Sequence, residues 1–340
     1  MNAFTYASPP ALRSALHLLS QGAGKAALLA GGTDLLALLK DDIVAPAQLI
    51  NIKGIQGLRV LKIDRTSGLR AGCLNTLNDL ACNKQIIALY PALALALGDA
   101  ASPQIRNMAT LGGNLCQRPR CWYFRNGYGL LALDASGKSL VRQGDNRYHA
   151  ILGNAGPAYF VSPSTIAPVL VALGATIDIA GPKGSRSIPL EEFYRIPQKP
   201  GNREHDLGTD EILAFVNLPP PDPNSSSAYY EVRQKHGFDW PAATATVSLI
   251  TKHKKVVKAS VVLGHVAPIP WRSKEAESAL SGQVVNEDVA TAASHAALQA
   301  AHNLGQNGYK IQIARVALRR AILQAAGLPV PPPHPSKVQP

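Results

Sequence analysis

Residues 219–227 read Pro-Pro-Pro-Asp-Pro-Asn-Ser-Ser-Ser, and no other stretch restricts the fold as strongly. Proline has no amide hydrogen and a fixed φ, so neither a helix nor a central strand can pass through such a run. The chain is therefore cut into an N-terminal two-thirds and a C-terminal third, joined by a Pro/Ser linker. Each part is large enough for its own core, since single cores run to ~100–200 residues. With 46% hydrophobic and 16% charged residues, the 340-residue chain can fill those cores, which excludes global disorder. The longest apolar stretch, residues 165–180, falls short of the ~20 residues a membrane span needs and carries Asp178. No direct membrane span is expected. The N-terminus shows no basic start, apolar run and small-residue cleavage site, so no secretory signal is evident and the default compartment is the cytoplasm.

Local patterns subdivide the two parts. Ser8 before Pro9 and Pro10 reads as a helix cap, with Leu12, Ala15, Leu16 and Leu19 at helical spacing and Gly22 as the stop. Residues 26–30 form an apolar run that enters a tight turn at Gly31 and Gly32, and 35–40 follow as a short helix. Strands are predicted at 49–52, 58–63 and 68–73, a capped helix after Thr76 with Asp79 at its third position, and a helix at 90–97. Residues 102–115 hold turn formers around a second Gly-Gly. Residues 117–158 lack periodicity, and a loop of that length in a compact domain is usually functional. Ser164 caps a helix to Leu173, 175–180 and 211–218 read as strands, and 182–210 as polar loop. Beyond the linker, 229–234, 243–251 and 256–266 predict a three-stranded antiparallel sheet. Helices follow at 273–280, 288–304 and 310–326, with Gly327 closing the last and a Pro-rich extended tail behind it.

Lys plus Arg exceed Asp plus Glu, 34 to 22, for a net charge of +12. The charges are scattered. The densest run, Lys252-His253-Lys254-Lys255, reads as a solvated hairpin tip, and no basic stripe is interleaved with aromatics, so nucleic acid is not the predicted partner. Cys73, Cys82, Cys116 and Cys121 include no C-x-x-C pair and make no disulfide scaffold. Cys73 and Cys82 read as buried free thiols. Cys116 and Cys121, five apart, are compatible with metal ligation without being diagnostic of it. His149, His205, His236, His253 and His265 show no ligand spacing, and neither G-x-S-x-G nor H-E-x-x-H occurs. No catalytic residue is assigned.

Chemistry concentrates instead in two glycine pairs, Ala30-Gly31-Gly32-Thr33-Asp34 and Ala109-Thr110-Leu111-Gly112-Gly113-Asn114. Glycines let backbone approach a ligand closely, and successive N–H groups can form a concave anion site. Each pair alone is also compatible with a plain turn; together they could hold the two phosphates of a dinucleotide. Neither is a Rossmann G-x-G-x-x-G, and no P-loop is present.

The run Ile105-Arg106-Asn107-Met108-Ala109-Thr110-Leu111-Gly112-Gly113-Asn114-Leu115, preceded by Leu28-Leu29-Ala30-Gly31-Gly32-Thr33-Asp34-Leu35, closely resembles the FAD-binding subunit of the xanthine dehydrogenase family of molybdenum hydroxylases. Cys116-Gln117-Arg118-Pro119-Arg120-Cys121-Trp122-Tyr123-Phe124-Arg125 and Gly144-Asp145-Asn146-Arg147-Tyr148-His149-Ala150-Ile151 resemble its periplasmic aldehyde oxidoreductase flavoprotein branch. Tyr230-Glu231-Val232-Arg233 with Phe238-Asp239-Trp240 resembles the start of the family's C-terminal domain.

The resemblance implies an α+β, PCMH-type FAD-binding fold of two subdomains, residues 1–55 and 56–218, the latter carrying the irregular insertion 117–158. The linker 219–227, a sheet-plus-helix domain at 228–327 and the tail 328–340 complete it. Leu28, Leu29, Ala30, Gly31, Gly32, Thr33, Asp34 and Leu35 would wrap the FAD pyrophosphate, Thr110, Gly112, Gly113 and Asn114 would form a second wall, and Thr165 would lie near the flavin's sugar-alcohol chain. The implied function is electron relay from a small [2Fe–2S] subunit to an external acceptor. A molybdopterin-binding large subunit would oxidise an aldehyde or N-heterocycle in the same heterotrimer. Export of the folded chain with a signal-bearing partner is the alternative compartment.

Three departures from the family pattern bear on this. The branch carries four insertion cysteines for a [4Fe–4S] cluster, whereas here only Cys121 and the outlying Cys116 remain as remnants, so no cluster is predicted. Thr165 replaces an Asp, and Glu231 stands where many relatives have a flavin-binding Lys. Both changes would weaken FAD binding, which leaves a structural assembly subunit with weak or absent flavin as the alternative.

Overall fold

The computed structural model describes residues 1–234 and 239–330. Three sheets organise it. The first joins β1 (Thr5–Ala7), β2 (Ala26–Leu29) and β3 (Gln48–Asn51) in parallel, in the order β1-β3-β2. Parallel neighbours need a crossover: the helix Leu35–Lys40 lies between β2 and its neighbour β3, while the helix Leu12–Gln21, which buries Ala15 and Leu19, links β1 to β2. Ser8 does not cap this helix. Its first residue follows an extended Ala11 that makes no side-chain cap, and the Ser8 hydroxyl instead accepts a hydrogen bond from Asn51 at 3.1 Å. The two prolines hold the chain extended past Ser8.

The second sheet is antiparallel, in the order β4-β5-β8-β6-β7: β4 (Leu61–Asp64), β5 (Gly68–Gly72), β6 (Thr176–Gly181), β7 (Gly184–Pro189) and β8 (Ile212–Leu218). Strand β7 falls where polar loop was predicted. It is an edge strand with Ile188 as its one aliphatic residue, so it carries almost no hydrophobic signal. The strand predicted at 58–63 begins as a 3₁₀ turn, Gln56–Arg59, whose Leu58 is buried. Residues 102–115 are two short helices, Pro103–Met108 capped by Ser102 and Leu111–Leu115 capped by Thr110, rather than turns. The helices Pro91–Asp99 and Ala167–Ala172 carry the core of this part.

The insertion stays largely irregular, with one π-type turn at Phe124–Tyr128 and a single-turn helix at Leu140–Gln143, and it packs two small cores with residues beyond it, one around Phe160 and one around Val141. Beyond it, β9 (Ser225–Val232), β10 (Ala243–Lys252) and β11 (Lys255–Gly264) form the antiparallel sheet, extended by a two-residue edge strand β12 (Trp271–Arg272). The linker serines join it: Ser225, Ser226 and Ser227 pair with Ile250, Leu249 and Ser248. His253 and Lys254, at φ 51° and 65°, form the hairpin tip in the left-handed conformation that two-residue hairpins favour. The helices Lys274–Leu280, Glu287–Ala297 and Tyr309–Ala325 pack a second core. The middle one ends seven residues before the predicted Leu304, because 298–308 loop back to hold the insertion. Among the described residues no helix is long and apolar enough to cross a membrane. The predicted extension of the tail over residues 331–340 lies outside the described residues, as do His236 and Phe238.

Candidate functional site

Where the first sheet meets the second, a cavity of about 670 Å³ opens. Strand β2 delivers the chain to it. After Leu29 the backbone bends at Gly31 and Gly32, with Gly32 at φ +75°, and then enters the helix Leu35–Lys40. Gly31 is pressed against the other glycine segment: a Cβ there would sit 1.9 Å from the Met108 carbonyl oxygen. Among the described residues, no acceptor meets the backbone amides of Gly32, Thr33 and Asp34. Three neighbouring unpaired N–H groups at the rim of a cavity are an anion cradle.

The second glycine pair plays a different part. The amide of Leu111 donates to Asn75 O (2.9 Å), that of Gly112 to Cys73 O (2.9 Å), that of Gly113 to the Thr110 hydroxyl (3.2 Å) and that of Asn114 to Thr110 O (2.8 Å). These donors are used up within the protein. The pair offers a surface without side chains, and at Gly112 a Cβ would lie 2.7 Å from Cys73 Cβ. The two bends converge on one cavity, one as donors and one as wall.

Leu28, Ala30, Gly31, Gly32, Thr33, Asp34, Leu35, Thr110, Gly112 and Gly113 line the cavity. Leu29, Asn114 and Thr165 do not: the Asn114 side-chain amide oxygen accepts from the Ser164 hydroxyl at 2.6 Å, and Thr165 is buried. Glu231 is also absent from the lining. It is buried in an ion pair with Arg233 and accepts the Tyr229 hydroxyl at 2.7 Å. Asp34 lines the cavity, but its carboxylate is spent elsewhere, accepting the Arg118 amide (2.8 Å) and Arg125 (2.7 Å) and pairing with Arg120 (3.2 Å). A carboxylate so neutralised does not repel a neighbouring anion.

Charged residues that sequence patterns did not single out complete the lining: Lys25, Arg118, Arg203 and Glu211. Glu211 is held by Arg186 at 2.8 and 2.9 Å, and Arg118 pairs with Glu204. Lys25 and Arg203 are left as the cations facing the cavity. His205 stacks on Phe193, with ring centroids 5.1 Å apart, and is pushed down to about 3 by burial and by Arg203 and Arg118, so its imidazole is neutral. Burial pushes the Cys116 thiol up to about 12, and Cys73 up as well. Both thiols stay protonated and unreactive. Cys82, predicted to be buried, is exposed at the C-terminal end of the helix Leu77–Ala81.

Cys121 faces another cavity, of about 280 Å³, with its sulfur 3.2 Å from His149 Nε2. Cys116 and Cys121 thus point into separate spaces, and no three potential metal donors converge among the described residues. A [4Fe–4S] cluster, which takes about four thiolates, does not fit these residues.

Residues 2–221 match the family described as FAD binding domain in molybdopterin dehydrogenase, and residues 227–325 match CO dehydrogenase flavoprotein C-terminal domain. The chain is 34% identical over 330 residues to the aldehyde oxidoreductase FAD-binding subunit PaoB of Escherichia coli (strain K12), covering 96% of this chain and 99% of the relative. It is 27% identical over 323 residues to the carbon monoxide dehydrogenase medium chain of Hydrogenophaga pseudoflava, covering 94% and 96%. A solved chain of carbon monoxide dehydrogenase from Hydrogenophaga pseudoflava, in a form lacking the Mo-pyranopterin moiety, has a TM-score of 0.76 at 26% identity, covering 96% of this chain and 98% of that one.

Proposed function

The chain belongs to the molybdopterin dehydrogenase FAD-binding family, with the C-terminal domain of the CO dehydrogenase flavoproteins, and on that footing we propose that it is the FAD-binding, electron-relaying subunit of an aldehyde-oxidising molybdenum hydroxylase. The observation that carries this reading is the cradle at Gly32, Thr33 and Asp34, whose amides find no acceptor within the protein while a wall without side chains stands opposite. A diphosphate needs such donors and such clearance. Lys25 and Arg203 supply compensating charge, and the exposed Thr33 adds a hydroxyl. The flavin supplies the redox chemistry, and the chain supplies position and electrostatics. The neutral His205 and protonated Cys73 and Cys116 keep competing proton donors and nucleophiles quiet around it.

Substrate oxidation belongs to a molybdopterin-binding large subunit, and electrons arrive through a small [2Fe–2S] subunit. Aldehydes are favoured because the relative at 34% identity is named for them. A flavin-free assembly role drew its support from Thr165 and Glu231, and neither lines the cavity.

Purified full-length chain dialysed against FAD tests the reading. The expected result is a visible flavin band at one FAD per chain, with spectrum and iron content unaffected by chelators. A chain that takes up no FAD overturns it.

A further inference from the structure

An aspartate that immediately precedes a helix ordinarily turns its carboxylate back onto the first amides of that helix. Asp34 precedes the helix Leu35–Lys40 and makes no such cap. Its carboxylate is drawn into the insertion instead. Oδ2 accepts the Arg118 amide at 2.8 Å, while Oδ1 accepts the Arg125 guanidinium at 2.7 Å and pairs with Arg120 at 3.2 Å.

Arg125 is held in turn. Its Nε donates to Pro119 O at 2.9 Å, and the nitrogen that reaches Asp34 also donates to Arg118 O at 3.2 Å. The side chains of Arg125 and Asp34 are each 15% exposed. Residues 118–125 therefore wrap one carboxylate with charge-assisted bonds that water hardly reaches.

Asp34 also carries one of the three unpaired amides of the cradle. Carboxylate and cradle hang from a single residue. A carboxylate only accepts hydrogen bonds, so once released it would compete with a phosphate for the amides of Gly32 and Thr33 and oppose its charge. The cradle stays open to an anion only while that side chain is turned away. Arg120 and Arg125 do not line the cavity, so neither is placed to hold the phosphates itself.

We propose that Arg125, with Arg120 beside it, is a positioning residue of the phosphate cradle. It acts through Asp34, keeping the carboxylate off the neighbouring amides, and the insertion thereby sets the affinity of a cavity that Arg125 never touches. The proposal rests on the flavin reading above. Coupling between two sites is reciprocal, so FAD seated on the cradle tightens the grip on residues 118–125.

The test titrates FAD into the full-length parent chain, Arg125→Gln, Asp34→Asn and the double variant, following flavin fluorescence and recording each thermal midpoint. Arg125→Gln is expected to weaken FAD binding about tenfold, and Arg125→Lys, which keeps the charge, to recover most of the loss. In the Asp34→Asn background no carboxylate is left to restrain, so adding Arg125→Gln is expected to change the affinity by less than about twofold. Unchanged FAD affinity in Arg125→Gln overturns the proposal. So does an equal loss in both backgrounds, which would mean that Arg125 attracts the phosphates by its own charge. Should Arg125→Gln fail to fold, Arg120→Gln, at a position 29% exposed, carries the same cycle with the same outcomes. A parent chain that takes up FAD beside an indifferent Arg125→Gln defeats the positioning role alone, whereas a parent chain that takes up none defeats the flavin reading and the positioning role with it.

Discussion

Single atoms decide the site. A methyl group at Gly31 would meet the Met108 carbonyl at 1.9 Å, so Gly31→Ala must push the donor bend off its neighbour. Overpacking of this kind costs about 1–3 kcal/mol. Gly31→Ala is expected to melt earlier and to lose FAD uptake together. Gly98, inside the helix Pro91–Asp99 with open space around it, is the control: Gly98→Ala is expected to gain up to about 1 kcal/mol in the same calorimetric scan. Titration works at this scale too. His149, His205 and His265 are pushed down to about 4, 3 and 3, chiefly by burial. As pH falls below ~6.5 the unfolded chain takes up protons the folded chain refuses, so stability should drop between about pH 6.5 and 4. Lys310, pushed down to about 7 by burial, acts in another window. Above pH 7 the folded lysine gives up its proton while the unfolded one holds it to ~10.4, so its contribution to stability rises with pH across that range. Urea titrations of the parent chain and Lys310→Met should show a stability gap that widens from pH 7 to pH 10; a constant gap would contradict the assignment.

Between elements, Asp34 is the fastener. It ends the donor bend and gathers Arg118, Arg120 and Arg125 from the first residues of the insertion. Asp34→Asn keeps the shape but removes the charge, which should cost about 1–3 kcal/mol and speed proteolytic nicking within residues 117–158 during a timed trypsin digest. None of these arginine contacts could be read from the chain, since they join residues some ninety positions apart and depend on how the insertion folds back. What the pattern did carry was the helix Leu35–Lys40, the core strands, the Thr76 cap and the convergence of two glycine pairs, because each rests on short-range periodicity, capping chemistry or a motif. It hid the helix Leu111–Leu115, since five residues are too few to show a period, and β7, whose polar edge gives no alternation to detect. It also hid the division of labour between the two bends. That is set by the carbonyls of Asn75 and Cys73, which reach the second bend from another part of the chain.

Across the whole molecule, two cores are stitched together by the insertion. Asn146 donates to Leu304 O at 2.9 Å, Asn154 to His302 O at 2.9 Å, and Asn307 to the carbonyls of His149 and Ala150 at 3.2 and 3.0 Å. The first cavity draws its lining wholly from the N-terminal part. Ligand binding to the folded state adds about 2.7 kcal/mol at a hundredfold excess over Kd, so excess FAD should raise the thermal midpoint of the parent chain and leave Gly31→Ala unmoved. The placement of the sulfurs has a practical side. Cys73 is buried, Cys116 and Cys121 are half-buried with their thiols held protonated, and Cys82 alone stands exposed. Since the thiolate is the reactive form, a maleimide dye should label the native chain at that one position, outside both cavities. Its rotational anisotropy would then report docking onto larger companions in real time while the glycine-lined cavity stays untouched.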